Sequence, residues 1–220
     1  MGAGMPPPQL RPPPIVVKTP DANWNIGILE LEDFIPNGSR VIETGASIPR
    51  YFEEGKARFS SGDQQTFSSP DGRSYLLLEN ASQKRGKGLW LVLRSRGVQN
   101  SEPIIISERP IEVLWSPLSD TFAVNHWADP NACDIFTVVI GNAQRTFFDL
   151  TPLLNLHFHS EGVALRRVAK AHRWTTNGDL VMRALFQRME EPYSVFGCEV
   201  QVAFSSGSPS LTMLRGFIKE

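Results

Sequence analysis

The feature that most constrains the fold is a unit of short strands that occurs three times along the chain. Its first copy opens at residues 67–80, FSSPDGRSYLLLEN, where an aromatic residue and two serines precede a Pro-Asp-Gly turn and a hydrophobic strand. The second copy opens at 112–127, EVLWSPLSDTFAVNHW, and the third at 171–187, AHRWTTNGDLVMRALFQ. Two further strand-like segments follow each opening. Self-similarity with a period of about 50 residues predicts a repeat architecture of four-stranded meanders.

The turns explain how each unit folds back on itself. Asp71-Gly72 and Asn177-Gly178 supply residues that accept a positive φ, which a tight hairpin requires. Three aromatic residues before the turns, Phe67, Trp115 and Trp174, are assigned to equivalent positions in the units. There a large ring would fill the space between two twisted sheets packed face to face. The alternative is a ring of aromatic side chains that lines a ligand site.

At these residues the chain resembles a known family. Two pairs of segments resemble the blades of TolB-like or WD-repeat-like β-propellers: FSSPDGRSYLLL with GLWLVL, and LWSPLSDTFAVN with DIFTVVIGN. The resemblance covers about residues 60–220 and is weakest in the third unit. It implies an all-β, propeller-like fold with three recognisable four-stranded blades, and it carries no catalytic residue.

Three blades are fewer than a closed propeller contains, which is typically four to eight. We therefore expect a half-propeller whose open faces and edges must be covered. Two copies could close into one ring, so self-association as a homodimer is a prediction of the sequence. The N-terminal segment and residues 152–170 are the alternative covers.

The chain ahead of the repeats divides into two parts. Residues 1–14 contain six prolines and predict an extended or disordered tail. Residues 15–59 predict strands or a partial blade, and within them FIPNGSRVIET (34–44) predicts a turn followed by a strand. Beyond the second unit, residues 159–170 combine apolar and basic side chains and predict a short amphipathic helix.

Composition excludes several classes of protein. The formal net charge of −1 argues against a nucleic-acid-binding protein, and no apolar run is long enough to span a membrane. Two cysteines, Cys133 and Cys198, form neither a disulfide framework nor a four-ligand zinc site. No cofactor is implied. The compartment stays undetermined: periplasmic if a leader was removed, otherwise cytoplasmic.

The candidate functional residues are few. The candidate ligand-binding side chains are Trp115, His126, Trp127 and Trp174. On a strand, His157 and His159 would face the same side and form a metal-binding pair, with Glu161 as the best third ligand. The alternative is a pair of surface histidines without a metal.

The predicted function is a non-enzymatic protein-binding or scaffolding module, with a protein or a second copy as its partner. The alternative is a hydrolase or carbohydrate-binding protein with a site on a propeller face. A polar pocket that gathers two or more carboxylates within about 10 Å would favour the hydrolase. A flat face that bears aromatic side chains would favour the binding module.

Overall fold

A computed structural model describes the chain over residues 34–53, 56–59, 66–80, 89–95, 103–107, 109–129, 132–141, 145–157, 165–188, 194–204 and 208–219. The predicted tail and the first predicted strands, at 15–19 and 25–32, lie outside these residues. The described elements are β1 (Arg40–Ile42), β2 (Tyr51–Phe52), β3 (Lys56–Phe59), β4 (Thr66–Ser68), β5 (Ser74–Asn80), β6 (Leu89–Ser95), β7 (Pro103–Ser107), β8 (Ile111–Trp115), β9 (Thr121–Asp129), β10 (Ala132–Ile140), β11 (Arg145–Asp149), α1 (Thr151–His157), β12 (Leu165–Thr175), β13 (Leu180–Arg188), β14 (Val195–Ala203) and β15 (Ser210–Lys219).

The strands form three antiparallel sheets, and each sheet is built around a four-stranded meander. The first blade is β4–β7, the second is β8–β11 and the third is β12–β15, with consecutive strands paired in each. The prediction of an all-β, propeller-like fold with three four-stranded blades is confirmed. In the described part of the chain no helix is long and apolar enough to cross a membrane.

The N-terminal strands join blades that already exist. β1 pairs with β15 at one edge of the third blade, β2 pairs with β12 at the other edge, and β3 pairs with β8 of the second blade. The predicted turn before β1 is confirmed, because the Ser39 amide donates to the Pro36 carbonyl at 3.2 Å and Gly38 has a φ of 80°. The three strands therefore cover blade edges that would otherwise expose unpaired backbone groups.

Two apolar cores lie in the seams between blades. The first fills the seam between the first and second blades, where Leu76 and Leu91 meet Val113 and Val124. The second fills the seam between the second and third blades with a longer set of side chains. This set includes Leu114, Ile135, Leu150, Trp174, Met182 and Val200. Alternate residues of each strand point to opposite faces, so one blade can contribute to both cores.

A third, smaller core covers the outward face of the third blade. Leu185 alternates along β13 with Ala184 and Phe186 of the second core and therefore points to the opposite face, where it packs with Val168, Phe217 and Phe34. Phe34 begins the N-terminal strap, defined here as residues 34–52. Because β1 and β2 lie at opposite edges of this sheet, the strap crosses it from edge to edge.

A buried ion cluster holds the strap on this face. The Tyr51 hydroxyl donates to Glu199 Oε1 at 2.6 Å, while Arg183 Nε and Arg215 Nη2 donate to Glu199 Oε2 at 3.0 and 3.1 Å. Burial by itself would raise the pKa of Glu199, but the Tyr51 bond and the two arginines together hold that pKa below its ordinary value. Desolvation, followed by the bond to Glu199, raises the pKa of Tyr51 to about 12.

The outward face of the first blade is buried only in part. Leu77, Trp90 and Val92 point away from the first core, yet none is more than 8 % exposed. The covering is incomplete, because Ile106, which pairs with Trp90 on the same face, is 55 % exposed. Closure of a ring by a homodimer stays a prediction.

Two expectations from the sequence are wrong in detail. The amphipathic helix expected at 159–170 is replaced by the strand β12 from Leu165 onward, because its backbone pairs with β13. Phe67 is not the counterpart of the tryptophans: Trp115 Nε1 donates to the Phe67 carbonyl and Trp174 Nε1 donates to the Leu114 carbonyl. Phe67 therefore corresponds to Leu114, and the exposed Ser68 corresponds to Trp115.

Candidate functional site

The three hairpin turns that open the blades each carry a positive-φ residue three positions after their first residue, and the third turn is one residue shorter than the other two. Each turn closes with a backbone bond from its first residue to the returning strand: Ser69 to Ser74, Ser116 to Thr121, and Thr175 to Asp179, at 2.8–2.9 Å. The residue with a positive φ is Gly72 (67°) in the first turn, Ser119 (62°) in the second and Gly178 (87°) in the third. The left-handed position therefore recurs in turns of different sequence, because each hairpin requires a positive φ at this place.

Neighbouring turns contact one another at one end of the molecule. The Asp71 amide of the first turn donates to Ser119 Oγ of the second at 3.0 Å. Leu118 of the second turn lies against Gly178 of the third, where a Cβ would come within 2.8 Å of Leu118 Cδ1. The turns therefore form a continuous row along this end of the half-propeller.

A cleft of about 500 Å³ opens between the second and third turns. Its apolar lining includes Leu118, Val139, Phe148 and Phe204, and its carboxylates are Asp120 and Asp179. Its volume lies within the ordinary range of small-molecule and side-chain pockets. The cleft combines apolar surface with polar groups.

Both adjoining blades position the lining. Phe148 stands on β11, Phe204 follows β14, and their ring centroids are 6.1 Å apart. Phe204 lies at the same distance from the ring of the buried Trp174, so the aromatic wall rests on the second core. Leu118 forms the rim and is 60 % exposed. Asp179 is fixed because its Oδ2 accepts from Gln201 Nε2 at 2.6 Å.

The predicted aromatic ligand-binding residues fall into two groups. Trp115 and Trp174 are 0 % and 1 % exposed, and their indole nitrogens donate to backbone carbonyls of the preceding blade. They fill the seams between blades, as in the packing interpretation, and no ligand reaches them. His126 and Trp127 are half-buried on β9, and Trp127 packs against the second core.

His126 belongs to a Ser-His-Asp arrangement. Its Nε2 lies 2.9 Å from Ser107 Oγ of the first blade, and its Nδ1 lies 4.0 Å from Asp134 Oδ2. Ser107 is buried, and its hydroxyl donates to the Arg109 carbonyl and accepts from the Arg109 amide at 2.9 and 3.0 Å. A serine nucleophile must instead donate its proton to the imidazole. These residues therefore join two blades and leave no activated hydroxyl.

Of the histidine pair proposed for metal binding, the structure describes only His157. His157 is the last residue of helix α1, and His159 lies outside the described residues. Across the part of the chain that the structure describes, no group of three or more His, Cys, Asp or Glu side chains is placed to hold a metal ion. Cys133 and Cys198 are buried in the second core and form no disulfide with each other, and burial raises the pKa of the Cys198 thiol.

The cleft residues were missed from the sequence. Phe148 and Phe204 carry no motif, and their approach depends on how two blades pack. One usable signal existed: loops that gather at one end of a rigid repeat scaffold commonly form its binding surface. That signal would have pointed to Leu118 and Asp120 of the second turn and to Asp179 of the third.

In comparisons with known proteins, no family model, no curated protein and no solved structure matches the chain.

Proposed function

We propose that the chain is a non-enzymatic, protein-binding or scaffolding module of the TolB-like propeller type, and that its partner enters the cleft between the second and third turns. One observation carries this proposal. An aromatic wall, two carboxylates and an exposed leucine meet in a cleft of about 500 Å³ on a rigid β framework. Such loop-lined concavities on a rigid scaffold are where folds of this kind place their binding sites.

The lining indicates which side chains a partner would present. Phe148 and Phe204 offer apolar surface and ring faces, which bury aliphatic groups and attract cations. Asp120 and Asp179 contribute negative charge, and the described residues of the lining include no lysine or arginine. A partner segment that inserts a long basic side chain would place its aliphatic stem against the rings and its charge beside the carboxylates.

The proposal is tested by selecting peptides from a displayed random library against the full chain. Ser208 lines the cleft and is exposed, so Ser208→Trp fills the cleft without disturbing a core. Selected peptides should bind Ser208→Trp at least about tenfold more weakly than the unmodified chain, a loss of about 1.4 kcal/mol. Thr66→Trp, an exposed position on β4 of the first blade and outside the lining, is the matched control and should bind normally. Peptides that bind both variants equally well would place the site elsewhere.

A carbohydrate-binding protein or hydrolase is the second candidate, because Asp120 and Asp179 line the same cleft as two aromatic rings. Aromatic rings beside carboxylates can also bind a sugar ring, and glycoside hydrolases use a pair of carboxylates in catalysis. A glycan array probed with the full chain and with Asp120→Asn separates the two candidates. Glycan binding that Asp120→Asn abolishes, with no selected peptides, would replace the protein-binding proposal.

A further inference from the structure

The strand β11 is an open edge next to the cleft. It is the last strand of the sheet of the second blade, and among the described residues no strand pairs with its outer side. Arg145, Thr146, Phe147 and Asp149 are exposed, and Phe147 is 48 % exposed despite its size. An exposed edge with an aromatic residue at its centre is a template for another strand.

The register shows which backbone groups of β11 point outward. The Ile140 amide donates to the Asp120 carbonyl on the β9 side at 2.6 Å, and the Leu150 amide donates to the Ile135 carbonyl at 2.9 Å. Since bonding direction alternates along an antiparallel strand, the odd-numbered residues of β10 bond with the even-numbered residues of β11. The amides and carbonyls of Arg145, Phe147 and Asp149 therefore face away from the sheet.

The sequence of β11, Arg-Thr-Phe-Phe-Asp, is complementary to itself in an antiparallel pairing. We propose that the partner of this edge is a second copy of the chain, paired β11 to β11 around a twofold axis at Phe147. This register places Phe147 of one copy opposite Phe147 of the other. It also forms two Arg145–Asp149 pairs, each between one copy and the other. All outward backbone groups of these three residues then find partners, about six bonds in total.

Side chains support the same register. The Phe147 ring already lies 5.1 Å from the Phe136 ring, so the twofold axis would extend an aromatic cluster on that face. The Asp149 carboxylate is fixed, because its Oδ1 accepts from the Thr151 amide at 2.9 Å. Its second oxygen stays available for the arginine of the other copy. Opposite charges directly across a strand pair stabilise it, and they disfavour a shifted register.

Pairing of this kind has a consequence for the cleft. Thr146 and Phe148 alternate with Phe147 and line the cleft. In the dimer the two clefts would open beside the shared axis, and two five-stranded sheets would become one sheet of ten strands. The interface is isologous and closes on itself, so the assembly stops at two copies. The dimer goes beyond the proposed binding function and does not depend on it.

Sedimentation equilibrium of the full chain tests the interface. We expect a species of twice 24.5 kDa that dissociates on dilution. Arg145→Glu sets two like-charge pairs across the axis and should raise the dissociation constant about tenfold or more. Asp149→Lys should do the same. A mixture of the two variants should associate as tightly as the unmodified chain, because each heterodimer regains both opposite-charge pairs.

Arg40→Glu is the matched control, since Arg40 is exposed on β1, a different edge strand. It should leave the dissociation constant unchanged. A chain that stays monomeric at millimolar concentration would overturn the proposal. So would a dimer that Arg145→Glu and Arg40→Glu affect equally. Peptide binding measured on the monomeric Arg145→Glu variant reports on the cleft without the dimer. The dimer proposal and the proposed binding function can therefore be disproved independently.

Discussion

The two seams between blades use the same position in opposite ways. Leu78 is the fifth residue of β5 and Asn125 is the fifth residue of β9, so they occupy the same place in successive blades. Both are buried and face the next blade. Leu78 joins an apolar core that contains Val113. Asn125 instead joins a hydrogen-bonded network with Glu112, Lys170 and Ala171.

The network fixes the third blade against the second more strictly than apolar packing does. Asn125 Nδ2 donates to the Ala171 carbonyl at 2.8 Å, and its Oδ1 accepts from the Ala171 amide at 2.7 Å. The same Nδ2 donates to Glu112 Oε2, 3.1 Å from the buried Lys170 ammonium. Apolar side chains tolerate small shifts, whereas this set loses bonds when either blade moves. The repeated element therefore builds the scaffold, and departures from the repeat position the blades that flank the cleft.

The largest expected effect follows from exchanging these two residues. Asn125→Leu removes three hydrogen bonds and leaves the buried amide and carbonyl of Ala171 without the partners they have in the native chain. Each such buried group costs about 1–3 kcal/mol, so we expect the free energy of unfolding to fall by about 4 kcal/mol. Urea unfolding followed by circular dichroism measures it.

The reciprocal change, Leu78→Asn, is the matched variant. It buries an amide in an apolar core and should cost about 3–4 kcal/mol through desolvation and lost packing. Two costly swaps would establish that the position is apolar in one seam and polar in the other for structural reasons. If Asn125→Leu changed stability by less than about 0.5 kcal/mol, the network would not hold the seam.

The contrast between the seams also separates the features that the sequence predicts from those that depend on contacts between blades. Hairpins, turns and the three blades were predictable, since they depend on local alternation and on turn residues such as Asp71-Gly72. The placement of Lys170 in a strand was not predictable. Its ammonium is buried because it reaches Glu112 in another blade, and the strand carries an irregularity between Ala171 and Arg173. The cleft was also out of reach, because its walls meet only after the blades pack.

A second prediction compares the tryptophans that serve the two seams. Trp115→Phe and Trp174→Phe each remove an indole donor and part of a buried ring, so each should lower the free energy of unfolding by about 2 kcal/mol. Trp174→Phe should cost slightly more, since its bond to Leu114 is 3.0 Å long and the bond from Trp115 to Phe67 is 3.3 Å. Chemical denaturation gives both values.

Trp127→Phe is the control for this pair, because Trp127 is half-buried. Its effect should stay below about 1 kcal/mol. Equal effects at all three tryptophans would mean that the repeated bond to the preceding blade contributes nothing specific.

A third prediction concerns the contact between the first and second turns. Ser119 holds a φ of 62°, where its counterparts are glycines, and its Oγ accepts from the Asp71 amide. Ser119→Ala keeps the unfavourable φ and loses the bond, so it should cost about 1 kcal/mol. Ser119→Gly loses the same bond but relieves the φ, and should be close to neutral. Thermal unfolding of the two variants should differ by several degrees. Identical melting temperatures would show that the left-handed serine stores no strain.

The smallest expected effect is the pH dependence of the seam between the first and second blades. Burial lowers the pKa of His126, and Asp134 only partly opposes this, so the native state favours the neutral imidazole that contacts Ser107. The unfolded chain then binds more protons than the native chain below the ordinary histidine pKa of about 6.5. The contribution of the neutral His126 to the free energy of unfolding should therefore be fully present above that pH and should be lost as the pH drops through it.

The contribution of His126 is isolated by difference. Urea midpoints are measured for the unmodified chain and for His126→Gln at pH 7.5 and 5.5. Comparing the two pH dependences removes the contribution of the carboxylates, which both proteins share. The unmodified chain should lose more stability on acidification than His126→Gln does. Asp134→Asn should steepen the loss, because it removes the charge that raises the histidine pKa. A loss of equal size in the chain and in His126→Gln would mean that the first seam is insensitive to pH. The two seams would then differ only in the network around Asn125.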